Sequence, residues 1–86
     1  MKYMVTWSVS PENYAKAMAR FKNEDPKPGP EVQTLGRWVE VGGLQGFSLF
    51  ETNDAAALWK FAAKWADLLD SRVVPVLTDA EIASAL

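Results

Sequence analysis

The spacing of hydrophobic residues changes several times along this 86-residue chain, and the order of the changes limits the possible folds. From Lys2 to Val9, large apolar residues alternate with smaller or polar ones, a period typical of a strand. One face of this predicted strand carries Tyr3, Val5, Trp7 and Val9. The spacing then changes to three and four residues, which indicates one face of a helix.

The first predicted helix begins at Ser10-Pro11-Glu12. Serine suits the N-cap, proline suits the first helical position, and glutamate is favourable near the positive end of the helix dipole. The apolar stripe of this helix consists of Tyr14, Ala17, Met18 and Phe21. Three prolines and a glycine follow within residues 23–31, and they predict a loop because neither a helix nor a central strand tolerates them.

Two further strands are predicted at Gln33–Val41 and Gln45–Thr52, on either side of Gly42-Gly43. A glycine pair of this kind is typical of a tight hairpin turn. Pairing Val39 with Leu49 would place Arg37 opposite Glu51 and Trp38 opposite Phe50. One predicted face then carries Leu35, Arg37, Val39, Val41, Phe47, Leu49 and Glu51, and the other carries Trp38, Glu40, Ser48 and Phe50.

A second helix, a fourth strand and a terminal helix complete the chain. The helix can be capped by Thr52, Asn53 or Asp54, and its apolar stripe is Leu58, Phe61, Ala62, Trp65 and Leu69. Ser71–Leu77 is predicted to be an edge strand, because Pro75 cannot donate a ladder hydrogen bond. Thr78 and Glu81 have the spacing of a capping box, which predicts a short helix from Asp79 to Leu86.

The resulting order, βαββαβ plus a terminal helix, predicts one α+β domain over residues 1–86 with a ferredoxin-like sandwich fold. Two helices cover only one face of a four-stranded sheet, and the sequence puts large aromatic side chains on both faces. An exposed aromatic face of this kind usually marks an interface. We therefore expect a homodimer in which two sheets pack face to face.

Composition and charge exclude several classes of function. The chain has no histidine and no cysteine, so it lacks the residues of a serine–histidine triad, a reactive thiolate and the commonest metal ligands. We predict no metal and no cofactor, although Asp67, Asp70 and Glu51 together form a weak candidate metal site. The nine basic residues are scattered and the net charge is −2, which disfavours a nucleic-acid partner. No apolar run or leader-like segment predicts membrane association, and we expect a cytoplasmic protein.

The candidate ligand-binding residues are Trp7, Arg37, Trp38, Trp65 and Glu51. Four tryptophans can pack in the core and the dimer interface, or they can form the walls of an apolar pocket for a planar ligand. Arg37 and Glu51 can form a cross-strand ion pair, or Arg37 can bind a carboxylate of the ligand. Asp67 and Asp70 can cap a turn or pair with Arg72, and a general base is the alternative role.

Four segments resemble a family of small bacterial proteins defined only as a domain of unknown function. They are Lys2-Tyr3-Met4-Val5-Thr6-Trp7, Leu35-Gly36-Arg37-Trp38, Trp65-Ala66-Asp67-Leu68-Leu69 and Val74-Pro75-Val76-Leu77. The resemblance implies a ferredoxin-like fold of the dimeric α/β-barrel type and no particular activity. That superfamily includes cofactor-independent monooxygenases, lactone isomerases and haem enzymes, and the lack of histidine excludes a histidine-ligated haem here.

Two functions of different class stay open at this point. The first is a non-catalytic homodimer that binds a small apolar ligand or a protein partner. The second is a cofactor-independent monooxygenase or isomerase with an aromatic-walled pocket. The second predicts an enclosed cavity on the order of a few hundred Å³ that contains Trp7 or Trp38 and a charged group with a shifted pKa.

Overall fold

The computed structural model describes all 86 residues as four strands and three helices. In chain order these are β1 (Lys2–Val9), α1 (Pro11–Asn23), β2 (Val32–Val39), β3 (Gln45–Thr52), α2 (Ala55–Ala63), β4 (Leu69–Val76) and α3 (Asp79–Ala85). The strands form one antiparallel sheet in the order β2-β3-β1-β4. The predicted α+β class is confirmed, and the arrangement is consistent with a ferredoxin-like fold. Strand β4, which contains Pro75, lies at the predicted edge beside β1.

The helix starts follow local capping rules, with one exception. The predicted capping box of α3 is confirmed: Glu81 N donates to Thr78 Oγ1 at 3.1 Å, and Thr78 N donates to Glu81 Oε1 at 3.0 Å. Among the candidate caps of α2, Asp54 accepts a hydrogen bond from Ala57 N at 3.1 Å. Ser10 occupies the predicted N-cap position of α1 and Pro11 is the first helical residue, but the Ser10 side chain makes no capping hydrogen bond.

The predicted pairing of β2 with β3 is also wrong. Strand β2 ends at Val39, and a connection over residues 40–44 replaces the tight turn, with Gly42 at φ +76°. The observed partners are Val39 with Gly46, Trp38 with Phe47, and Arg37 with Ser48. The register then shifts between Thr34 and Gly36, where Leu35 is the extra residue of a bulge. Arg37 is therefore not paired with Glu51, and Trp38 does not share a face with Phe50.

Helices α1 and α2 cover one face of the sheet and create a small core there. Its central cluster consists of Val5, Val32, Phe50 and Leu58, with Phe50 and Leu58 each only 2% exposed. The ring of Phe61 meets that of Phe50 edge-on, with 5.6 Å between their centres. Nine of the 86 residues are buried, so the isolated chain leaves much of its apolar surface in contact with water.

The opposite side of the sheet, which we call the open face, is covered by neither α1 nor α2. Its residues form cross-strand rows: Gln45–Ser8–Asp70, Trp38–Phe47–Thr6–Arg72, Gly36–Leu49–Met4–Val74 and Gln33–Glu51–Lys2–Val76. The two central rows are largely apolar, and the charged side chains lie mostly toward the ends of the face. Trp38 is 55% exposed and Phe47 is 38% exposed on this surface.

Candidate functional site

A cavity of about 140 Å³ lies between the two helices and the covered sheet face. Thirteen of its fifteen lining residues are hydrophobic, and the two exceptions are Arg37 and Ser48. The helices contribute Ala17, Met18, Phe21, Leu58, Phe61 and Ala62 to the walls. Most of these belong to the apolar stripes predicted for α1 and α2, so the stripes that form the core also line the cavity, which is only partly closed because Phe21, Trp38 and Val39 in its lining are exposed.

The structure brings four of the five candidate ligand-binding residues to this cavity. Trp7, Arg37, Trp38 and Trp65 all belong to its lining. Trp38 contributes from edge strand β2, although its pairing with Phe47 places its side chain on the open face. Glu51 lies outside the cavity, on the open face. The Met1 amino group and Lys2 Nζ, which lie 2.9 and 3.3 Å from the two carboxylate oxygens, hold the pKa of the Glu51 carboxyl below its usual value.

The indole ring of Trp7 packs against Gly46, its partner on β3. A Cβ at position 46 would overlap the indole ring of Trp7, so only glycine allows the ring to lie against the strand. We expect Gly46→Ala to displace this ring from the cavity wall and to lower the unfolding free energy by about 1–3 kcal/mol. Urea unfolding followed by tryptophan fluorescence measures both effects. An unchanged emission maximum and midpoint would contradict the close packing.

Trp65 reaches the cavity from a turn, because α2 ends at Ala63 and not beyond Trp65 as predicted. Arg20 of α1 holds this turn by donating to both carboxylate oxygens of Asp67, at 2.8 and 2.7 Å, and to Lys64 O at 3.0 Å. The Arg20 guanidinium also lies 5.4 Å from the centre of the Trp65 ring. Asp67 therefore pairs with Arg20 and not with Arg72, and this hydrogen bonding lowers the pKa of the Asp67 carboxyl.

Arg37 joins β2 to the loop after α1. Its Nη1 donates to Asp25 Oδ1 at 2.9 Å and its Nη2 to Oδ2 at 3.5 Å, while Lys27 Nζ donates to Oδ2 at 2.6 Å. The guanidinium lies 4.9 Å from the ring centre of Phe21. Asp25 has φ +38°, a left-handed conformation that aspartate tolerates better than most residues. Hydrogen bonds from Arg37 and then Lys27 lower the pKa of the Asp25 carboxyl.

Four carboxyl groups, those of Asp25, Glu51, Asp67 and Glu81, have pKa values below their ordinary values. The folded state therefore binds fewer protons than the unfolded state, and the stability due to these groups is lost as the pH falls through the folded-state pKa values. We expect the urea midpoint to hold down to about pH 4, near the unfolded-state pKa of carboxyl groups, and to fall below it. Asp67→Asn should reduce that fall. A midpoint independent of pH down to about pH 2.5 would contradict these ion pairs.

Ser48 is a polar residue of the cavity lining that the sequence pattern does not predict. The predicted register placed it beside Glu40, whereas the structure places it opposite Arg37. The signal was present in β3, where Ser48 falls between Gly46 and Phe50 on the alternating buried side. A serine at such a position replaces the apolar residue that a filled core would require.

The lining limits the chemistry that the cavity can support. It contains no carboxyl, amine or phenol group, so no side chain there can act as a general base near neutral pH. Asp67, Asp70 and Glu51 are not brought together as a potential metal site. The arrangement suits the enclosure of an apolar molecule, with Arg37 and Ser48 as the two polar contacts.

None of the three helices is long and apolar enough to cross a membrane.

Comparison with known proteins identifies the family. A search among curated proteins finds no match. The model of one family, described as Domain of unknown function (DUF3303), matches residues 1–86, the whole chain. The protein that folds around this apolar cavity is therefore a member of the DUF3303 family.

Proposed function

We propose that the protein binds a small apolar ligand in the cavity between the helices and the sheet, without catalysis. The observation that carries this proposal is an almost entirely apolar lining around about 140 Å³ of space. An apolar cavity of about 150 Å³ is large enough to bind a single-ring molecule such as benzene. A ligand with one ring, or a short aliphatic chain, matches this volume.

The lining favours binding over the alternative, a cofactor-independent monooxygenase or isomerase. Such an enzyme removes a proton from its substrate, which requires a positioned base within hydrogen-bonding reach. The polar residues of the lining, Arg37 and Ser48, supply a permanent cation and a hydroxyl without a neighbouring histidine. The cavity is also smaller than the few hundred Å³ typical of substrate pockets.

Toluene is a suitable probe for the cavity. We expect toluene to raise the thermal midpoint in a concentration-dependent way, because a ligand that binds only the folded state stabilises it. Ala62 lines the cavity, so Ala62→Leu should fill part of its space and abolish this shift. Ala63 is exposed and does not line the cavity, so Ala63→Leu is the matched control and should retain the shift. Equal toluene responses in the two variants would place the binding elsewhere and contradict the proposal.

We also propose that a second copy of the chain covers the open face, as in the dimeric α/β-barrel superfamily. Four eight-residue strands span roughly 19 × 26 Å at the usual strand spacing, a flat area of about 500 Å² compared with the roughly 800 Å² of accessible surface that each partner of a standard interface buries. The face carries both signs of charge, with Lys2 and Arg72 near Glu51 and Asp70. A two-fold axis can therefore bring opposite charges together around the apolar rows.

A further inference from the structure

We propose that the ligand carries one carboxylate, which binds between the guanidinium of Arg37 and the hydroxyl of Ser48. This inference rests on the proposed function and names the chemical class of the ligand: a small aromatic or aliphatic acid. Its apolar part would lie among the side chains of Phe50, Leu58 and Phe61. We infer the acid group from Arg37 and Ser48, the two polar residues of the lining.

Arg37 and Ser48 are cross-strand partners on β2 and β3, so their side chains leave the sheet side by side on the covered face. Ser48 is 94% buried, with 6% of its surface exposed, and it lines the cavity. Its hydroxyl takes part in none of the side-chain hydrogen bonds of the fold. Because this hydroxyl oxygen is not among the fully buried side-chain atoms without a partner, it is accessible from the cavity. The hydroxyl therefore offers a donor toward the space beside Arg37.

The charge around Arg37 also favours an anion. Arg37 and Lys27 both donate to Asp25, so two cations share one carboxylate and the cluster keeps one positive charge in excess. A guanidinium has five N–H donors, and Asp25 accepts from only two of the Arg37 nitrogens. The remaining donors and the Ser48 hydroxyl can bind one carboxylate, and that anion balances the excess charge. Water also solvates this charge, because Lys27 and Arg37 are partly exposed, but a neutral ligand would use neither the remaining Arg37 donors nor the Ser48 hydroxyl.

The test compares benzoate with two neutral probes, benzamide and toluene, by calorimetric titration of the intact protein. Benzamide has nearly the shape of benzoate without its charge. We expect benzoate to bind at least tenfold more tightly than benzamide, because hydrogen bonds to charged groups are stronger than neutral ones. Ser48→Ala should weaken benzoate binding about threefold to tenfold. Arg37→Gln should weaken it at least tenfold, and Arg72→Gln on the open face is the matched control, with no change.

Asp25→Asn separates a direct role of Arg37 from a structural one. Both Asp25→Asn and Arg37→Gln break the same ion pair, so a loop loosened by that loss would weaken benzoate binding in both variants. If Arg37 binds the carboxylate directly, Asp25→Asn frees its donors and should strengthen benzoate binding about threefold to tenfold. Asparagine tolerates the left-handed backbone of residue 25, so the loop can keep its conformation.

The outcomes separate this inference from the proposed function. Tight benzoate binding with opposite effects of Arg37→Gln and Asp25→Asn supports the carboxylate site. Equal binding of benzoate, benzamide and toluene would overturn the carboxylate site and leave apolar binding in place. Binding of none of the probes would overturn both.

Discussion

Phe50→Ala is expected to remove about 3–5 kcal/mol of the unfolding free energy, the usual cost of deleting a buried aromatic side chain. Phe50 is 2% exposed and packs edge-on against Phe61 in the central cluster. Domains generally have a stability of only about 5–15 kcal/mol, and a chain this short lies toward the lower end. The variant should therefore be largely unfolded in dilute urea, which far-ultraviolet circular dichroism measures directly.

Phe47→Ala is the matched control for this prediction. Phe47 lies on the same strand but on the open face, where 38% of its surface is exposed. Its truncation should cost the monomer less than about 1.5 kcal/mol, because less apolar area returns to water. The comparison is made in the Leu49→Lys background, which keeps the chain monomeric, and equal losses there would mean that the helices do not cover the Phe50 side of β3.

Leu49→Lys is expected to convert the proposed dimer to a monomer. Leu49 lies between Gly36 and Met4 in a central row of the open face, so a face-to-face dimer would bury the new ammonium group without a partner. A buried unpaired charge costs about 3–5 kcal/mol, so the dissociation constant should rise by more than about a hundredfold. Sedimentation velocity over a dilution series measures this change.

Gln45→Lys is the control for the dimer prediction. Gln45 lies on the same strand and the same face, but in the row at the end of the sheet, and it is exposed. A lysine there can reach water, so the dimer should persist. A wild-type protein that sediments as a monomer would contradict the proposed pairing, and so would a Leu49→Lys variant with unchanged dissociation.

The elements of this fold follow from rules that act over a few residues, and these are the features that sequence analysis recovers. The capping box from Thr78 to Glu81 needs only local spacing, and Pro75 indicates an edge strand wherever the sheet places it. The pairing of β2 with β3 depends instead on the length of the connection and on a bulge at Leu35. Val39 lies opposite Gly46 and not Leu49, a difference of three residues, and an odd difference exchanges the faces that Arg37 and Trp38 share with the residues of β3.

The residues of the candidate site can be predicted only in part, because some of them depend on contacts between distant segments of the chain. Trp7 and Trp65 were identified as aromatic residues suited to a pocket wall, and both line the cavity. Ser48 was missed because its significance depends on the residue opposite it. The ion pair of Arg20 with Asp67 joins residues 47 positions apart, a distance over which no local pattern predicts contact.

Methyl resonances of the methionines test the proposed cavity most directly. The chain has three methionines, of which Met18 lines the cavity and Met4 lies in a central row of the open face. In protein labelled with ¹³C at the methionine methyl groups, we expect added toluene to shift the Met18 resonance in a saturable way and to leave Met4 unchanged. A saturable shift of Met4 with no change at Met18 would show that apolar ligands bind the open face and not the cavity.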